Sequence, residues 1–182
     1  TYDITAWSLP YAYGLNCIAS ETNVAGNVSE LDFTSTPVAL LQYAYLIPWN
    51  SMSDAKALAE FVSAGINVRF AKEPFTVDGN DFPAGTLIII SKENEGKEVE
   101  QLIARTCEKF SINFETASTG MVESGKDFGS SSVSLIKAPR VGILSGEGFS
   151  PLAAGELWHY FEQDLKYAVT VFNLDDITDE SL

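Results

Sequence analysis

Along the chain, apolar positions gather into short dense runs that alternate with stretches of helical spacing. PVALLQYAYLI, residues 37–47, is a near-continuous apolar run with aromatic and β-branched members, the pattern of a strand buried on both faces. It stops at Pro48. In the following SMSDAKALAEFVSAG, Leu58, Phe61 and Val62 recur at helical spacing; Ser51 or Ser53 can cap the start and Gly65 suits the stop. INVRFAK alternates and predicts a short strand. EPFTVDGNDFPAGTLIIIS predicts two more, Phe75–Val77 and Thr86–Ile90, with turn residues between them.

A second helix is predicted from about Gly96 to Phe110, with Val99, Leu102, Ile103 and Thr106 on one face. SINFETAS reads as a strand and the Gly/Ser-rich TGMVESGKDFGSSS as a loop. VSLIKAPRVGILS supplies a strand or a pair of strands broken near Pro139. An amphipathic helix from Pro151 to Leu165 follows, and YAVTVFN closes the pattern as a strand. Strands alternating with helices of about 12–15 residues imply βαβ units around a mostly parallel sheet. Right-handed crossovers would set the helices on both faces. The expected fold is therefore α/β, of flavodoxin- or Rossmann-like βαβ units, with one β-hairpin. At the start, Trp7, Pro10, Tyr11 and Tyr13 precede a polar loop, and the aromatic part is expected to dock on the remainder.

Composition changes this picture in two ways. The 182 residues suffice for one good core or two small ones, and no apolar run approaches the roughly 18–20 residues of a membrane span. The 25 acids against 11 bases, a net charge of −14, disfavour general affinity for nucleic acid or anionic lipid, so neither is expected as a partner. The charge is also uneven: residues 141–182 carry eight acids and only Lys166 as base. That change suggests a boundary near residue 138, with 1–138 one α/β domain and 139–182 the first βαβ unit of a second, packed with it or apart. The opening at Thr1 without methionine or signal-like segment, and the acidic end LDDITDESL, read as the ends of an excised segment.

Candidate chemistry is sparse. A hydrolytic zinc site commonly needs two histidines among three ligands, and His159 is the single histidine. It is expected on the polar flank of the last helix. Cys17 and Cys107 lie far apart without ligand spacing, so buried free thiols are favoured over a disulfide; Cys107 borders an apolar stripe and reads as core. No GxSxG elbow is present. Paired acids such as Asp175 and Asp176 read as solvated surface. GMVESGKD, residues 120–127, matches GxxxxGK but has Asp127 where a magnesium-binding hydroxyl belongs and no helix after it. Asp127-Phe128-Gly129 spells a kinase signature that nothing else accompanies.

VGILSGEGFSPLAAGELWHYF, residues 141–161, carries more. A strand ends in Ser145-Gly146-Glu147-Gly148, and Ser150-Pro151 caps and starts a helix, the order of a dinucleotide fingerprint. Pro151 replaces its third glycine, and the charge of Glu147 would repel a pyrophosphate. The turn is thus read first as a bend; were the chain to bind a small ligand, Ser145, Gly146, Glu147 and Gly148 are the candidate contacts.

Two stretches point to a family. TYDITAWSLPYAYGL, residues 1–15, resembles the segment that follows the catalytic domain in large bacterial members of the carboxypeptidase A-like zinc metallopeptidases. KAPRVGILSGEGFSPLAAGELWHYFEQDLKYAVTVFN, residues 137–173, resembles the first βαβ unit of the class I glutamine amidotransferase-like domain appended to those proteins. The middle, with AYLIP, SDAKALAEFVSAGINV and DFPAGTLIII, is similar to their connecting region. The resemblance implies a parent that hydrolyses peptides or C-terminal residues with zinc, in the periplasm or outside the cell. The family's HxxE, later histidine and catalytic glutamate have no matching positions, so it implies no catalytic residue, metal ligand or cofactor in this chain. Zinc would belong to the parent's peptidase domain, which is also the implied partner. Two functions follow as expectations: a non-catalytic accessory region of such a protein, or an independent α/β domain binding a small polar or anionic ligand at its strand ends.

Overall fold

The computed structural model describes residues 20–22 and 42–174. The chain divides into two compact units, Thr1–Asp32 and Phe33–Leu182. In the first, the described residues make a local turn in which the Ser20 hydroxyl donates to the carbonyl of Thr22 at 2.9 Å. The expected docking of Trp7 and Tyr11, and the part of the 37–47 strand before residue 42, fall outside the described residues.

In the second unit the elements are β1 (Ala44–Ile47), α1 (Met52–Ser63), β2 (Arg69–Ala71), β3 (Phe75–Val77), β4 (Asn80–Phe82), β5 (Leu87–Ile90), α2 (Val99–Phe110), β6 (Glu115–Ala117), β7 (Val133–Leu135), β8 (Val141–Ser145), α3 (Pro151–His159) and β9 (Val169–Asn173). Five strands form a sheet in the order β6-β1-β5-β2-β7, and every neighbouring pair in it is antiparallel. The expectation of a mostly parallel, Rossmann-like sheet is therefore wrong. Among the described residues only β8 and β9 pair in parallel, in a separate two-stranded sheet.

The error has a physical source. Because β5 runs antiparallel to both β1 and β2, those two strands point the same way, so β1–α1–β2 is a genuine crossover. The same reasoning makes β5–α2–β6 a second one, with β1 between its strands. Each crossover skips one position, and a strand of the other fills the gap. This is the split βαβ arrangement of ferredoxin-like sheets, here with the β3–β4 hairpin inserted and β7 added at one edge. Spacing along the chain reports crossovers but not what is later inserted into them.

The apolar runs misled for a related reason. Tyr45, Ile47, Leu87 and Ile89 belong to one core, covered by Phe61 of α1 and by Val99, Ile103 and Cys107 of α2. Ala44, Leu46, Ile88 and Ile90 belong to the other, covered by Phe75, Val77, Phe82 and the loop residue Phe128. Both faces are buried, so AYLI and LIII read as continuous runs although the sheet is antiparallel. Both helices lie in the first core, not one on each face as expected. Each fully buried large side chain contributes about 1.5–3 kcal/mol, which makes this double-sided packing the principal stabiliser of the unit.

Local chemistry fixes the connections. Ser51 is the N-cap of α1, and Asp54, three residues on, turns its carboxylate back to accept from Asn50 N, Ser51 N and the Ser51 hydroxyl at 2.8, 2.6 and 3.0 Å. Asp78 and Gly79, with φ of 50° and 75°, form the two-residue bend between β3 and β4. That Asp-Gly pair is a standard hairpin signal, and it reveals β4 inside what the sequence reading treats as turn residues.

Candidate interaction surface on the terminal βαβ unit

The unit β8–α3–β9 is built from the stretch that holds the candidate turn. Its strands pair from Val141 with Val169 to Ser145 with Asn173. Opposed residues of a parallel pair share a face, which places Ile143 with Val171 on one side and Leu144 with Phe172 on the other. Ile143 is buried, whereas Leu144, Val171 and Phe172 are exposed, Phe172 by 45%. Helix α3 buries none of its residues. Leu152 is 78% exposed and Trp158 48%, and Leu157 and Phe149 are also open.

The sequence reading treats Pro151–Leu165 as amphipathic and misses this. The signal was present, because PLAAGELWHYF is apolar at every position except Glu156 and His159. A helix apolar on nearly all sides expects burial on all sides. The helix also ends earlier than expected. After His159 the chain widens into a π-turn, Tyr160–Asp164, in which Leu165 N donates to Tyr160 O at 3.0 Å. Within this turn, Asp164 stands 3.7 Å from Lys56 of α1 and 4.0 Å from the exposed His159 imidazole. The Tyr160 hydroxyl meets the Met52 sulfur at 3.1 Å.

The four candidate turn residues have distinct settings. Ser145, half-buried at the end of β8, donates its hydroxyl to Phe172 O at 3.2 Å. Gly146 has φ +105°, and a Cβ there would collide with the Asn173 side chain. Its carbonyl accepts from Phe149 N at 3.2 Å, closing the turn. Glu147 is exposed, and Gly148 has φ +88° with open space around it. Ser150 Oγ accepts from Ala153 N at 3.4 Å as N-cap, and Pro151 is the first helical residue, both as expected. The geometry thus brings all four together at one strand end, with Gly146 demanded by the backbone and by the nearness of β9.

Elsewhere, Cys107 is buried in the α2 core, as the sequence reading favours. Burial, and secondarily the Asp54 carboxylate, push its thiol up to about 12. Cys17 lies outside the described residues. Residues 120–127 form an exposed loop between β6 and β7, and Phe128 after them fills the second core, giving the DFG triplet a packing role. Among the described residues, no three His, Cys, Asp or Glu side chains are grouped so as to hold a metal ion, and no helix is long and apolar enough to cross a membrane. Compared with known proteins, the chain matches no family model, no curated protein and no solved structure.

Proposed function

We propose that this chain is a non-catalytic accessory region of a secreted zinc carboxypeptidase-like protein, and that the β8–α3–β9 unit is the surface through which it meets the rest of that protein. The observation that carries the interaction role is the open two-stranded parallel sheet. Parallel sheets are stable when covered on both faces, and an isolated pair of strands is marginal. Here Leu144 and Phe172 on one face, and Leu152, Leu157 and Trp158 on the helix, stand in water. Large apolar side chains left exposed together on one small unit mark a protein contact. The identity of the parent is supported by the resemblance of residues 1–15 and 137–173, and zinc and peptide hydrolysis belong to its peptidase domain.

Two measurements test the proposal. Reading the gene upstream of Thr1 should reveal HxxE and a later histidine; a start codon at residue 1 refutes the parentage. Hydrogen exchange of this chain, alone and with the peptidase domain, should show protection gained at residues 144–172. Exchange that is unchanged there refutes the surface even if the parentage holds.

A further inference from the structure

A second feature lies where α1 faces the π-turn that follows α3. Leu58, Ala59 and Val62 of α1 and Phe161 and Leu165 after α3 line an apolar cleft of about 180 Å³ that opens to solvent. Trp49 and Pro139, both exposed, mark its mouth. Tyr167 also lines it, but its hydroxyl is already committed, donating to Pro139 O at 2.6 Å. The lining is almost wholly carbon.

Three observations separate this space from a packing defect. Its lining is apolar and concave, the kind of wall that small-molecule sites use to take a ligand out of water. The wall opposite α1 is a π-turn, a costly local geometry that recurs at functional sites. That wall is also fastened at two points outside the cleft, Tyr160 to Met52 and Asp164 to Lys56, so polar contacts at its edge hold the π-turn beside α1.

We propose that this pocket is a binding site for a small neutral apolar molecule of the size of one aromatic ring. The volume sets the size. The carbon lining sets the polarity, because a charged group placed there would lose its hydration without gaining a partner. Trp49 at the mouth offers a ring edge or face to an aromatic guest.

Toluene is a suitable probe, with benzoate and benzylammonium as charged counterparts of similar shape. Methyl resonances of Leu58, Val62 and Leu165 should shift saturably with toluene and remain still with either ion. Ala59→Leu fills the space with a good helix former and should weaken toluene binding by at least about tenfold, while the melting temperature holds or rises. Failure of toluene to give saturable shifts at these residues, equal shifts from benzoate, or unchanged binding by a folded Ala59→Leu variant would each overturn the proposal. The comparison of toluene with its ions on the unaltered chain stands even if Ala59→Leu does not fold.

Discussion

Asn94 clasps the backbone of Asn67 from both sides: its Oδ1 accepts from Asn67 N at 2.7 Å and its Nδ2 donates to Asn67 O at 3.1 Å. Nδ2 also donates to Ile90 O at 3.0 Å, and the side chain is almost fully buried. The clasp ties the end of β5 to the entry of β2. Asn94→Ala should cost about 1–3 kcal/mol, the range for leaving buried polar groups unmatched. Urea denaturation reads this as a lower midpoint at constant slope, and an unchanged midpoint would show that the clasp contributes nothing net.

Asp78 accepts from Ser118 N at 2.6 Å and from the Ser118 hydroxyl at 2.7 Å. These bonds, the backbone one first, hold its carboxyl below the usual carboxylate range. A depressed folded-state pKa stabilises above the unfolded value, about 3.9, and the contribution fades as pH falls through that value toward the lowered one. Asp78→Asn tolerates the same left-handed backbone and should lose this acid-side slope. Melting curves from pH 7 to below 4 for both proteins make the comparison, and parallel curves would refute it.

Gly146 and Gly148 both have positive φ, but only Gly146 lies against a side chain, that of Asn173. Alanine at either position is strained by about 1–3 kcal/mol. Gly146→Ala adds a collision and should lower the melting temperature more than Gly148→Ala. Equal losses would mean that Asn173 moves aside freely.

With its thiol pushed up to about 12, Cys107 should carry roughly one thiolate per ten thousand molecules at pH 8. Alkylation followed by mass spectrometry of the peptide containing residue 107 should show slow labelling in the folded protein and fast labelling in denaturant. Rapid labelling of the folded chain would contradict its burial.

Much of the local structure was legible in the sequence. Ser51, Gly65, Ser150 and Pro151 mark helix ends, and Pro139 marks the break between β7 and β8. Such signals act within a few residues and need no tertiary context. The pairing of β1 with β5, 42 residues apart where Leu46 meets Ile88, has no local signal, and the doubly buried runs AYLI and LIII concealed it. The pocket was illegible for the same reason. Leu58 and Val62 form an ordinary helical stripe, and their meeting with Phe161 and Leu165 depends on a π-turn that no spacing announces.

The interleaved crossovers also order events in time. Strand β5 touches both β1 and β2, so neither finds its inner neighbour until Leu87–Ile90 has been synthesised. A simple βαβ unit can close as soon as its own residues exist, but here the first crossover waits for a strand belonging to the second. Such non-local pairing slows folding and makes it cooperative. Pulse-labelled hydrogen exchange during refolding should therefore show β1, β2 and β5 gaining protection together, and a chain stopped after Gly85 should leave the amides of β1 unprotected. During synthesis β1 and β2 would wait, without their shared inner neighbour, until that keystone arrives to join them.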